Sequence, residues 1–241
     1  MSEHGEQASH GEQASHGEQA SHGEQARQAD KPDKSDKPGH DEQAGPGEHA
    51  EPRIPPRPKG DWDAAVLDAL SVIRLPDNAV KPERGRPVSN IVGVFSWHPA
   101  LAKAFFTFNN HLFASTLSAR DREIATVRVG WLRRSEYEWA QHVQMAAAAG
   151  MSAQEIDAIS AGPDSAVWGP RDAVLLRAVD ELVTDRNVSD ETWKQLAGFL
   201  GREQLMDLVF TVGAYDTLAL AFNVFGVQLD PGLAGFPPDG S

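Results

Sequence analysis

Residues 118–150 read SARDREIATVRVGWLRRSEYEWAQHVQMAAAAG and hold two helix starts and one helix stop. Ser118 with Asp121 three residues on makes the first start. Ser135 with Glu138 makes the second, spaced as a capping box: the serine accepts from the N–H of Glu138, and the glutamate reaches back to the N–H of Ser135. Gly150 is a natural residue to follow the second helix. Downstream the same grammar recurs in SAQEIDAISAG (152–162), where Ser152 and Glu155 repeat the box. GPRDAVLLRAVDELVTD (169–185), SDETWKQLAGFLG (189–201) and a long apolar helix over 202–226 follow. Upstream, SNIVGVFSW (89–97) leads into HPALAKAFFTFNNHLFAS (98–115), which sets Leu101, Phe105, Phe108 and Leu112 at helical spacing and predicts an apolar face there. Asp61 or a neighbour caps a short run carrying Val66, Leu67 and Leu70, and a loop with three prolines (76–87) comes after it. No run shows sustained period-2 alternation between hairpin turns. The fold class is all-α, a helix bundle.

Composition divides the 241 residues in two. Residues 1–50 have no Phe, Trp or Tyr and repeat SHGEQA three times after an opening SEHGEQA. Such a stretch cannot bury enough apolar surface to offset its ordering entropy, which predicts a disordered tail over 1–51 and a single helical domain over 52–241. The tail carries −7 of the net −13, so both parts are acidic. That balance argues against nucleic acid and anionic membrane surfaces as partners. Six of the nine histidines lie in the tail, but unstructured histidines at six-residue spacing offer no preorganised metal site. No metal is expected. There is no cysteine, which excludes disulfides and thiol chemistry. The N-terminal residues show no basic run followed by an apolar one, so no signal peptide is expected. LMDLVFTVGAYDTLALAFNVFGV (205–227) includes Asp207 and Asp216, which would be costly at a bilayer centre, and reads as a core helix. A cytoplasmic protein is the default expectation.

On the helix that begins at Ser135, Ser135, Glu138 and His142 fall within about 60° of one another and share a face with Met145, Ala146 and Ala149. A carboxylate and an imidazole therefore sit on a core-facing stripe. Two readings compete. Capping accounts for Ser135 and Glu138, and a backbone carbonyl could satisfy His142; against that stands an acid–base pair at i, i+4. Composition and spacing favour the structural reading and leave catalysis open.

The stretch DREIATVRVGWLRRSEYEWAQHVQMAAAAGMSAQEIDAI (121–159) resembles the core of the carboxymuconolactone decarboxylase family, which includes the AhpD-like alkylhydroperoxidases. LMDLVFTVGAYDTLALAFNVFGVQLDPGLAGFP (205–237) is similar to that family's closing segment, and the likeness spans about residues 52–237. It implies an AhpD-like helix bundle. The thiol-dependent branch carries a Glu, a C-x-x-C twelve residues on, and a His four residues after the second Cys. Glu123 and His142 occupy the glutamate and histidine positions; Ser135 and Glu138 stand where the two cysteines would be, with Tyr137 between them. Without a thiolate the family's peroxidase route is closed.

What remains is the proton-handling half. The resemblance implies a cofactor-independent acid–base enzyme, a lyase of the decarboxylase type or a related isomerase or cyclase. It would act on a small organic acid or lactone and need no cofactor. His142 is the implied main acid/base, with Glu123 orienting it and Glu138 and Tyr137 beside it. An anionic small-molecule substrate asks for a cation, for which Arg128 is the best placed, although an ion pair within the fold is its simpler use. Ser135, Trp131 and Trp139 complete the candidate substrate-binding set. His98, at a helix start, and His111 are weaker candidates, and Asp216 and Asn223 read as interhelical hydrogen-bonding groups. The resemblance further implies a homo-oligomer, a trimer or hexamer. The alternative of a different class is a non-catalytic AhpD-fold module used for binding or assembly.

Overall fold

Ser118 caps as its position predicts: its hydroxyl accepts from the N–H of Asp121 at 3.0 Å and opens a helix over Ala119–Leu132. The computed structural model describes residues 51–74 and 88–237. The tail expected to be disordered, apart from Glu51, and the whole three-proline loop lie outside the described residues. Among the described residues there are nine α-helices and no strand. They are α1 (Ala64–Leu70), α2 (Asn90–Phe95), α3 (Pro99–Phe113), α4 (Ala119–Leu132) and α5 (Glu136–Ala148). α6 (Ala153–Ala161), α7 (Pro170–Thr184), α8 (Asp190–Ala197) and α9 (Arg202–Phe225) follow. A short 3-10 turn, Lys59–Asp61, precedes α1, whose cap is Asp63.

α4 is the hub. It packs against α5, α6, α7 and α9, and every residue from Asp121 to Gly130 is buried. Burial on all sides forces each polar side chain of α4 to find a partner or stand as an exception. Asp121 accepts two hydrogen bonds from Arg171 on α7, at 2.6 and 2.7 Å. Gly130 lets the next helix come close, because a Cβ there would stand 3.2 Å from the backbone nitrogen of Trp139. The turn between the two helices is tight, with Arg134 in the left-handed region (φ 52°) and the N–H of Ser135 donating to Gly130 O at 2.9 Å. α4 and α5 therefore lie against each other along the stretch that holds Glu123 and His142.

α9 is the one helix among the described residues long and apolar enough to cross a membrane by length and composition. The fold uses it as a core helix, burying Leu205, Leu208, Val212, Tyr215, Leu218 and Phe222 against the bundle. α3 departs from its predicted face. Ala102, Phe106 and Leu112 are buried, whereas Leu101 is 51% and Phe108 37% exposed. Phe106 packs with Ala69 and Phe95 in a small second cluster, and this turns the Leu101–Phe108 edge outward, where the ring of Phe108 meets that of Phe210.

Candidate active site

The two Ser-x-x-Glu starts behave differently. At Ser152 the capping box forms: the hydroxyl accepts from the N–H of Glu155, and Glu155 accepts from the N–H of Ser152 at 2.8 Å. At Ser135 it does not. Ser135 begins α5, but its hydroxyl caps nothing, is fully buried and has no hydrogen-bond partner. Glu138 turns inward instead, placing Oε1 3.3 Å from Nε2 of His142. The expectation of a capping box at 135–138 is thus corrected. A cap bond is worth about 1 kcal/mol. Partnering a buried imidazolium, whose loss of a partner would cost several times that, outweighs it.

His142 is held from both sides. Its Nδ1 lies 2.7 Å from Oε2 of Glu123 on α4, while Oε1 of Glu123 accepts from Nε of Arg122 at 3.2 Å. All three acid–base groups are shut in: His142 is 6%, Glu138 2% and Glu123 1% exposed. Burial alone would pull the imidazole down. Glu123, by charge and hydrogen bond, and then Glu138 outweigh it and push His142 up to about 9. Burial pushes Glu138 up; His142 draws it back in part, and the charge of Glu123 raises it again. At neutral pH the arrangement is a cationic imidazole between two carboxyl groups, one of them inclined to keep its proton.

That electrostatic state has a thermodynamic signature. A histidine whose folded pKa is raised stabilises the fold fully below its ordinary value of 6.5, and the contribution is lost as pH rises through about 9. Glu138 acts in the same sense, since its raised pKa means the folded chain holds that proton more tightly than the unfolded chain. The His142 contribution is lost between about pH 6.5 and 9, by up to about 1.4 kcal/mol per pH unit. Urea unfolding at half-unit pH steps reads the slope. A profile flat across that window would remove the imidazolium from the site.

The remaining predicted residues are placed elsewhere. Arg128 spends its guanidinium on Asp180, through Nε at 2.6 Å and Nη2 at 2.9 Å, and on the carbonyls of Ile159 and Ser160. Gly162 (φ 80°) admits this clamp, because a Cβ there would come within 2.7 Å of Arg128 Nη2. Arg128 is a tie between α4, α6 and α7, which corrects its candidacy as a substrate anchor. Trp131 and Trp139 pack on each other and on Phe236, with the Arg134 guanidinium over Trp131. They close a corner of the core, which corrects their place in the substrate set.

Tyr137 also points away from His142. Its hydroxyl donates to Asp230 at 3.1 Å and accepts from Gln141 and from the N–H of Ile91. Burial, then the charge of Asp230, pushes this phenol far above its ordinary value. A cleft of about 280 Å³ opens beside it, lined by Glu136, Tyr137, Phe222, Asn223 and Val227–Leu229 and by none of Glu123, Glu138 or His142. His98 caps α3 through Nδ1, and His111 pairs with Asp207. Asn223 donates to Arg133 O, and Asp216 pairs with Arg133 and Arg186. Both are the interhelical groups the sequence suggests.

Three residues escaped the sequence reading. The ring of Tyr215 stands edge-on to His142, with centroids 4.8 Å apart. Burial holds this phenol well above its ordinary value, with the charges of Glu123 and Glu138 adding to it. Thr126 is near enough to draw the phenol slightly down, yet neither hydroxyl makes a hydrogen bond of ordinary geometry. Thr211, one turn before Tyr215, is also buried and unpartnered. A faint signal existed: Thr211 and Tyr215 stand at i, i+4 on an otherwise apolar helix.

The profile of the family described as "Carboxymuconolactone decarboxylase family" matches residues 99–181, which include Glu123, Ser135, Glu138 and His142. No curated protein matches the chain. Among solved structures, an uncharacterized peroxidase-related protein from Ralstonia eutropha with an alkylhydroperoxidase AhpD core is similar at a TM-score of 0.60. Its identity is 16% over 74% of this chain and 93% of that one. The debrominase Bmp8 is similar at a TM-score of 0.58, with 14% identity over 74% of this chain and 92% of that one. A protein of unknown function from Agrobacterium tumefaciens, provisionally assigned to AhpD antioxidant defence, has a TM-score of 0.54. Its identity is 21% over 56% of this chain and 94% of that one. These likenesses speak for the fold, and the family match covers the helices that build the acid–base site. Residues 99–181 thus match the carboxymuconolactone decarboxylase family model, and the chain takes an all-α AhpD-like fold.

Proposed function

We propose that the domain is a cofactor-independent acid–base enzyme of the carboxymuconolactone decarboxylase type, acting on a small organic acid or lactone. The observation that carries this reading is the double engagement of His142. Both its ring nitrogens face carboxyl groups, while Oε2 of Glu138 is buried with no partner. His142 is then the middle of a relay and Glu138 its substrate end, with Glu123 holding the imidazole. In a decarboxylation the bond from carbon to the carboxylate breaks and CO2 leaves. Its electron pair passes into the conjugated carbonyl as an enolate. Glu138 gives its proton to carbon, His142 resupplies Glu138, and solvent later restores the proton to the imidazole. Isomerisation or cyclisation uses the same transfers without loss of CO2. The His142 imidazolium supplies the positive charge an anionic substrate requires. Thiol peroxidation is closed to a chain with no cysteine.

The test offers 4-carboxymuconolactone and a panel of carboxylated butenolides to the full chain in D2O, following CO2 release and deuterium at carbon. The expected result is catalysed release or exchange that Glu138→Gln abolishes. Exchange that survives Glu138→Gln overturns the relay. The second reading, a non-catalytic binding module, draws on the separate cleft beside Tyr137. It is favoured if the panel binds without CO2 release or exchange.

The assembly we propose is a homo-oligomer. Along α9 the side chains of Met206, Val209, Phe210, Leu220 and Val224 are each at least 40% exposed and give copies of the chain an apolar row to bury. Light scattering after size exclusion is expected to give a trimer or hexamer that Phe210→Glu with Leu220→Glu converts to monomer. A monomeric wild type overturns it.

A further inference from the structure

Four oxygens around the acid–base residues stand out because a folded chain so rarely leaves them alone. The hydroxyls of Thr126, Thr211 and Tyr215 and Oε2 of Glu138 are all more than nine-tenths buried, and none has a hydrogen-bond partner. Buried polar atoms nearly always find one, and each unmatched atom costs about 1–3 kcal/mol. Here they gather by construction. Thr126 lies one turn after Glu123 on α4, Thr211 one turn before Tyr215 on α9, and the Tyr215 ring meets the His142 ring edge-on. α4 and α9 pack directly together.

The charges nearby narrow what such a group of donors could hold. Arg122 is committed to Glu123, Arg128 to Asp180 and Arg133 to Asp216. No guanidinium among them is left to grip a permanent carboxylate or phosphate. What the α9 side offers is neutral O–H groups, which suit an oxygen that is uncharged on binding and gains charge during reaction.

We propose that Tyr215, seconded by Thr211 and Thr126, is the hydrogen-bond donor to the carbonyl oxygen of the substrate, and that the site selects unsaturated lactones or ketones whose carbonyl becomes an enolate. This rests on the acid–base reading and adds the electrophilic half of the site. The carbon receiving the proton faces Glu138, and the oxygen receiving the electron pair faces Tyr215. Tyr215 remains neutral throughout, donating a hydrogen bond and no proton.

The test uses 4-nitrophenol, whose ionised oxygen mimics an enolate and whose absorbance reports ionisation, with nitrobenzene as the isostere lacking that oxygen. Wild type is expected to bind 4-nitrophenol more tightly than nitrobenzene. Tyr215→Phe weakens 4-nitrophenol about 10- to 100-fold and leaves nitrobenzene unchanged. Thr211→Val, read the same way, gives a smaller loss and guards against misfolding of the first variant. Equal affinity of wild type and Tyr215→Phe for 4-nitrophenol overturns the assignment, as does a wild type that does not prefer 4-nitrophenol over nitrobenzene. If the hydroxyls serve only to hold internal water, Tyr215→Phe shifts the unfolding midpoint and leaves the probe untouched, which also overturns it. Glu138→Gln separates the two proposals. The relay is read as CO2 release and deuterium exchange in Glu138→Gln and the donor as probe affinity in Tyr215→Phe, so failure of the relay and failure of Tyr215 appear in different measurements.

Discussion

Glu123→Gln lowers turnover of the responsive substrate by about 10²- to 10⁴-fold, the usual worth of a positioned acid–base group. The substitution is nearly isosteric, so the packing around Glu123, a fully buried side chain, is kept. The charge that Nδ1 of His142 faces at 2.7 Å is removed. The imidazole then loses the larger of its two stabilising partners, its pKa falls from about 9 toward or below the ordinary range, and the relay starts short of a proton. The loss should therefore appear in kcat with little change in KM, and the alkaline limb of the pH–rate profile should move to lower pH. His142→Gln removes the relay itself and gives at least as large a loss. It also leaves buried Glu138 without its cation and Glu123 with Arg122 alone, so its stability has to be measured beside its rate. Stopped assays at saturating and limiting substrate separate the two parameters. Full activity in both variants would refute the assignment.

Arg128→Met destabilises the fold by about 3 kcal/mol while leaving acid–base chemistry in place. Arg128 is buried and paired on two nitrogens with Asp180, which is itself a quarter exposed on its side chain, so the cost falls at the lower end for a broken buried pair. Two carbonyls at the end of α6 lose a donor as well. Methionine fills the stem's volume, which isolates the loss of charge. Denaturant unfolding reads the shift. Under saturating substrate and below the new midpoint, kcat and KM should match wild type. A KM raised tenfold or more would return Arg128 to the substrate site.

The helical class was legible because helix starts and stops are local. Ser118, Ser152 and Ser189 accept from the N–H groups their spacing predicts, and Gly150 and Gly226 take positive φ after α5 and α9. The apolar face of α3 was less legible. Phe105 and Phe106 are equally apolar, and only the packing of Phe106 with Ala69 and Ala102 in the second cluster tells which neighbour turns inward. Arg128, Trp131 and Trp139 were drawn into the candidate site by their nearness in sequence to Ser135. Arg128 on α4 points toward α7, while Trp131 on α4 and Trp139 on α5 pack toward Phe236. Thr126, Thr211 and Tyr215 were missed for the opposite reason, being ordinary residues until α9 is laid against α4.

The amino-acid sequence alone determined the helical class, the absence of thiol chemistry and the shared face of Ser135, Glu138 and His142, since each is a matter of residue type and spacing along one chain; the place of Glu123 beside them came from the family resemblance. Only the tertiary structure decided what SEYEWAQH does. Ser152 and Ser135 head identical Ser-x-x-Glu motifs, and the first forms its box because it is solvent-exposed and nothing competes for Glu155 except Arg120 beside it. At Ser135 the contact of α4 with α5 across Gly130 brings Glu123 to His142, and a buried imidazolium outbids a helix cap for Glu138.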